Sequence, residues 1–132
     1  MKENKVVTYF ENLGKLFYAI AVSDKKIELE EIEILNQYIE EYWTDCDALE
    51  GIAATDPAYQ IIITFEKLQE QQTSSTIAYK AFENYYNQNK SFFTNSAKHT
   101  ILLTAEAIAK AFIGKNKTEL GMLTKLKLLL KN

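Results

Sequence analysis

The chain contains no arginine; all fifteen of its basic residues are lysine. Arginine supplies the planar fork that grips phosphate, carboxylate and guanine in pairs of hydrogen bonds. Its absence, together with a formal net charge of −3 and a pI near 5.2, argues against nucleic-acid recognition. It also removes the usual clamp for phosphoryl transfer. One cysteine, Cys46, excludes an internal disulfide framework and any cysteine-cluster zinc site, and one histidine, His99, excludes multi-histidine metal motifs. A single proline and four glycines are too few for a β architecture with many tight turns.

Long apolar runs are missing as well. The most apolar stretch, ILLTAEAIAKAFIG over 101–114, is interrupted by Thr104, Glu106 and Lys110. It is too short and too polar to cross a bilayer. The opening MKENKVVTYFENLGK has neither an uninterrupted apolar segment nor a small-residue cleavage site. A cytoplasmic location with no membrane association is therefore expected. No glycine-rich phosphate loop and no nucleophile-elbow motif occurs.

What remains is a helical pattern. The chain has 132 residues, of which 47% are apolar and 25% charged, the ordinary balance of one globular domain spanning 1–132. Apolar residues recur at helical spacing in six segments, and no segment alternates as a strand does. The first, about 4–22, carries Val6, Phe10, Leu13, Phe17 and Ile20 as one stripe. The second, about 28–43, carries Ile32, Leu35, Ile39 and Tyr42. Asp56-Pro57 is a strong start signal for a third helix, about 57–71, with Ile61, Ile62, Phe65 and Leu68 inward. Ser74 or Ser75 caps a fourth, about 76–89, carrying Ala78, Phe82 and Tyr85 or Tyr86. Asn95 or Ser96 caps a fifth, which could begin as early as Phe92, with Ile101, Ala105, Ile108 and Phe112 inward and Leu102 and Ala109 beside them. Gly114 ends it, and Thr118 caps a sixth with Leu120, Leu123, Leu126 and Leu130. The expected fold is an all-α single-domain bundle of about six helices.

The two ends of the chain echo one another. A shift of 88 positions lays Ala19-Ile20-Ala21 on Ala107-Ile108-Ala109, Glu31 on Glu119 and Leu35 on Leu123. The bundle is thus expected to hold two pseudo-repeated helix-turn-helix halves. Charge is divided between them. Residues 24–50 hold ten acids against two lysines, whereas residues 110–132 hold six lysines against Glu119 alone. Such polarity suits partners or cations.

Three places are candidates for chemistry. Asp24, Glu28 and Glu31 cluster at the turn before the second helix, where carboxylates could converge on a hard cation such as Ca²⁺ or Mg²⁺. The EF-hand template does not fit. With Asp24 at its first position, Lys26, Leu29 and Leu35 occupy places that need an oxygen ligand, a glycine and a glutamate. First-turn acids also interact favourably with the helix dipole without any ion. Tyr38, Tyr42 and Trp43, near one end of the second helix, form a candidate aromatic patch for a protein partner. Tyr79, Tyr85 and Tyr86 on the fourth helix read better as core packing, since only Lys80 and Lys90 accompany them. Cys46 lies among acids, which raise a thiol pKa, and His99 has no acid near it in sequence except Glu106. An inert thiol and a surface histidine are expected rather than a nucleophile pair.

The stretch Leu16-Phe17-Tyr18-Ala19-Ile20-Ala21-Val22-Ser23-Asp24, followed by Ile27 and Glu31, resembles the tellurite-resistance protein B-like (TerB-like) family. That family's pattern is a helix ending A-x-x-D-G, then an aliphatic residue and a glutamate opening the next helix. Thr55-Asp56-Pro57-Ala58-Tyr59-Gln60-Ile61 and the segment from Ala109 to Leu120 look like a bacterial branch of it. The resemblance implies an all-helical fold with two related halves, a cytoplasmic stress-associated role, and a divalent-metal site. Carried over by position, that site uses Asp24 and Glu31 from the first half and Asn116 and Glu119 from the second. Lys25 stands where the family has glycine, bringing a positive charge and a β-carbon into the turn. The expected function is a non-enzymatic helical module that binds a protein partner and a divalent cation. A structural or homo-oligomerisation domain without a metal site is the alternative.

Overall fold

A helix that carries large apolar side chains on every side has to lie in the middle of a bundle, and the first helix does. In the computed structural model, which describes residues 2–21, 29–42, 59–110 and 117–131, α1 (Lys2–Ala21) packs against four other helices. From Tyr9 onward nearly every position is buried: Tyr9, Phe10, Asn12, Leu13 and the whole run Leu16 to Ala21. The single stripe expected from the sequence is therefore a correction. Phe10, Leu13, Phe17 and Ile20 are inward as expected, but Leu16, Tyr18, Ala19 and Ala21 are equally buried. Asn12, the one buried amide here, is satisfied locally by donating from Nδ2 to the Thr8 carbonyl at 2.8 Å.

The remaining helices are α2 (Leu29–Tyr42), α3 (Gln60–Glu70), α4 (Ser75–Gln88), α5 (Asn95–Ile108) and α6 (Lys117–Lys131), with a 3-10 turn at Lys90–Phe92 between α4 and α5. No strand occurs among the described residues. Among the described residues there are six α-helices, the all-α bundle that the periodicity predicts. α3, α4, α5 and α6 all pack on α1, α2 packs on α3 and α5, and α5 packs on α6. No helix among the described residues is long and apolar enough to cross a membrane.

α1 and α3 approach closely at Gly14. A β-carbon there would lie 2.7 Å from the Ile61 carbonyl oxygen and 2.9 Å from Thr64 Cβ. Both distances are below contact, so any larger residue pushes the two backbones apart.

The ends of the helices follow local chemistry. α3 terminates in a Schellman motif: Thr73 N–H donates to the Leu68 carbonyl and Gln72 N–H to the Gln69 carbonyl, both at 3.1 Å. Gln72 takes the left-handed position, with φ of 55°, where glycine is the usual occupant. The turn is tied to the centre by Tyr18, whose hydroxyl donates to the Thr73 carbonyl at 2.6 Å. Ser74 caps α4 as expected, accepting from Ile77 N–H at 3.1 Å.

The cap of α5 is a correction. Thr94, not Asn95 or Ser96, accepts from Ala97 N–H at 3.1 Å, and helix does not begin at Phe92, which closes the 3-10 turn. The reason is Phe93. Its buried ring meets Tyr9 at 5.2 Å, Tyr86 at 4.8 Å, and Phe82 and Tyr85 each at 6.0 Å between centroids. Seating that ring fixes the register, and the next residue with a hydroxyl then opens the helix.

The shift of 88 positions survives at the level of helix starts and burial. It carries Leu29, the first residue of α2, onto Lys117, the first of α6. It also carries the buried residues Ala97, Ile101, Thr104, Ala105, Ile108 and Ala109 onto Tyr9, Leu13, Leu16, Phe17, Ile20 and Ala21, all of them buried. Leu35 and Leu123, paired by the same shift, are both in the core. The expected stops and starts at Asp56-Pro57, Gly114 and Thr118 involve residues or side chains outside those described.

Candidate functional site

α4 and α6 both lean on α1, and between them they leave a surface groove of about 450 Å³. The size is in the range of ligand sites. Thr76, Tyr79, Lys80 and Glu83 line one wall. They fall at i, i+3, i+4 and i+7 of α4, a spacing that puts all four on one face of the helix. Lys125, Leu128 and Leu129 line the other wall at i, i+3 and i+4 of α6. Each wall is therefore one face of a helix.

Tyr79 is the floor. It is only 7% exposed, and the Lys125 ammonium sits 5.8 Å from its ring centroid, within cation–π range. Burial, and then the negative charge of Glu83, push the Tyr79 phenol up to about 12. The phenol thus stays neutral and protonated across the physiological range. On the rim, Lys80 Nζ lies 3.6 Å from Glu83 Oε1. That is an exposed i, i+3 pair of small energetic worth, but it neutralises the only carboxylate in the groove wall. Lys125 has no carboxylate partner among the described residues. Leu128 is 59% exposed, as Ile63 at 53% and Ile77 at 64% also are; what sets it apart is that it lines the groove together with Leu129 and Tyr79. Among the described residues this lining offers shape, apolar surface and positive charge.

The residues singled out from the sequence are placed unevenly. Asp24, Glu28 and Asn116 lie outside the described residues, as does Trp43, and Cys46 lies outside them too. Glu31 and Glu119 fall in α2 and α6, and Tyr42 ends α2, but their side chains are not described. Among the described residues no group of three or more histidine, cysteine, aspartate or glutamate side chains comes together. Tyr38 is half-buried and packs against the core, so its ring serves the interior at least in part. His99 is exposed on α5. Tyr86 is fully buried and Tyr85 half-buried with a phenol raised by burial; both are core aromatics as expected.

Sequence reasoning passed over the groove. The stripe Leu120, Leu123, Leu126 and Leu130 accounts for the buried side of α6, and Leu123, Leu126 and Leu130 are indeed buried. The missed signal is the surplus: in Lys125-Leu126-Lys127-Leu128-Leu129-Leu130-Lys131, leucines occupy more of the circumference than one stripe can hold. Leu128, two residues from Leu126, projects from nearly the opposite side.

No family model, curated protein or solved structure matches the chain.

Proposed function

We propose that this chain is a non-enzymatic helical module that binds a protein partner through the groove between α4 and α6. The observation that carries the reading is the exposed Leu128 in the same groove as Tyr79, with Lys125 over the Tyr79 ring and without a carboxylate partner among the described residues. A large exposed aliphatic residue beside a buried aromatic floor marks interaction surface. The nearby lysines set orientation more than affinity. The resemblance to the TerB-like family, carried by Leu16 to Asp24 with Ile27 and Glu31, agrees with a cytoplasmic, stress-associated module of this kind. It adds a divalent cation at Asp24, Glu31, Asn116 and Glu119, to which the acidic turn of the sequence adds Glu28. A ligand that binds only the native state raises its melting temperature. An upward shift with millimolar Ca²⁺ or Mg²⁺ supports the cation, and no shift in the wild type or in Lys25→Gly removes it.

Site-specific photo-crosslinking tests the groove. A photoreactive residue at position 128 is expected to yield a discrete adduct in cells, whereas one at Glu66, exposed on α3, is not. Equal adducts at both positions, or none at 128, contradict the reading.

A further inference from the structure

We infer that the partner segment seated in the α4–α6 groove is an acidic amphipathic helix, with an apolar anchor over Tyr79 and a carboxylate on Lys125. This rests on the reading of the groove as the docking surface and specifies the chemistry of its occupant. Three observations select it.

The first is shape. One face of α4 and one face of α6 line the groove, and the α4 wall from Thr76 to Glu83 is about 10 Å long, roughly two helical turns. A third helix laid between two others is a recurring mode of peptide capture, read by anchors at i, i+3, i+4 and i+7. The second is the lining. Tyr79, Leu128 and Leu129 give the concave surface an apolar centre, which an apolar side chain fills with the loss of its hydration.

The third is charge. Among the described residues the groove wall contains Lys80, Glu83 and Lys125 and no other ionised side chain. Glu83 is already matched by Lys80 at 3.6 Å, so the cation left over is Lys125, held over the Tyr79 ring. Beyond the groove, α6 adds Lys127 and Lys131, both exposed. Lys127 is matched by Glu106 on α5 at 3.5 Å, so among the described residues the excess positive charge of this part of α6 rests on Lys125 and Lys131. A carboxylate on the incoming segment meets that field, and a lysine is repelled by it. A basic helix with exposed leucine also suits an anionic lipid surface. Concavity argues against this here, because a flat bilayer cannot reach Tyr79 at the groove floor.

Fluorescence anisotropy with the full chain tests the inference. The probes are three labelled, hydrocarbon-stapled helical peptides that share two leucines one turn apart and differ only in their flanking residues: glutamate, glutamine or lysine. The glutamate probe is expected to bind most tightly and to weaken as salt rises from about 50 to about 300 mM, because exposed charge pairs are screened. Lys125→Gln is expected to weaken it about fivefold, the ceiling for an exposed ion pair, and to leave the glutamine probe unchanged. Leu128→Ser is expected to weaken both probes about tenfold or more, with the melting temperature of the variant unchanged. Equal binding of the glutamate and glutamine probes, or preference for the lysine probe, overturns the acidic partner while leaving the groove a docking site. No binding by any probe overturns both. Saturable self-association of the unlabelled chain that Leu128→Ser abolishes makes a second copy the occupant. Leu128-dependent binding to phosphatidylserine vesicles, without peptide binding, makes it a membrane. Either result overturns the inference.

Discussion

Helix α4 carries Tyr79, Phe82 and Tyr86 along one stripe, at i, i+3 and i+7, and the two ends of that stripe are put to different use. Towards its C-terminal end Phe82 and Tyr86 lie nearly parallel, 6.3 Å apart, and close around Phe93 with Tyr9 from α1. Tyr79, one turn before Phe82, is buried in the same core, yet it also lines the groove with Lys80, Glu83, Lys125 and Leu128. The same residue type on the same helix is enclosed in one case and left as a floor in the other. What separates them is the partner element. The Phe93 turn and α1 close over Tyr86, whereas at Tyr79 the facing wall belongs to α6, across a channel. Enclosed aromatics hold the fold; the one at the bottom of a channel is free to serve recognition.

Breaking the enclosed side should have the largest effect. Phe93→Ala removes a ring shared by α1, α4 and α5. It is expected to cost about 3–5 kcal/mol, as large buried aromatic truncations do. Urea denaturation measures this, and a loss under about 1 kcal/mol would show that Phe93 does not organise the cluster. Next comes overfilling. Gly14→Ala forces apart α1 and α3 and should cost about 1–3 kcal/mol, despite alanine's better helix propensity. A neutral or stabilising Gly14→Ala would mean that the approach to Ile61 is looser than 2.7 Å.

Smaller changes sharpen the comparison between the two tyrosines. The Tyr86 hydroxyl is buried and has no hydrogen-bond partner among the described residues. Tyr86→Phe therefore relieves an unsatisfied polar atom, and is expected to be neutral or to stabilise by up to about 1 kcal/mol in the same assay. Tyr79→Phe should leave stability at neutral pH almost unchanged and differ only in alkali. Folding raises the Tyr79 phenol from its ordinary 10.0 to about 12. Its contribution is therefore fully present below pH 10 and is lost as pH rises from 10 towards 12. Melting temperatures of the wild type should fall more steeply over that window than those of Tyr79→Phe. Parallel curves would mean that folding does not perturb this phenol.

Much of this arrangement was legible in the sequence, for a reason visible in particular residues. Leu35, Ile39, Ile61, Phe65, Ile101 and Leu126 sit at helical spacing with polar neighbours, so their burial follows from period alone. Three features were not. The all-round burial of α1 depends on how many helices surround it, which no local pattern encodes. The choice of Thr94 over Asn95 as cap depends on where the Phe93 ring must sit, since by intrinsic preference asparagine is the better cap. The groove depends on the distance between two helices separated in sequence by a third. Leu128 is unremarkable until Tyr79 is found facing it. The acidic turn at Asp24, Glu28 and Glu31, by contrast, was the clearest local signal in the chain, and its side chains lie outside those described.

The most direct test of the division between enclosed and channel-facing aromatics is an amide chemical-shift titration of the full chain with the glutamate-flanked helical peptide. The account predicts shifts concentrated at Thr76, Tyr79, Lys80, Glu83 and Lys125–Leu129, with the amides of Tyr9, Tyr86 and Phe93 nearly unmoved. Shifts centred on α2 or α3, or spread evenly through the aromatic interior, would contradict it.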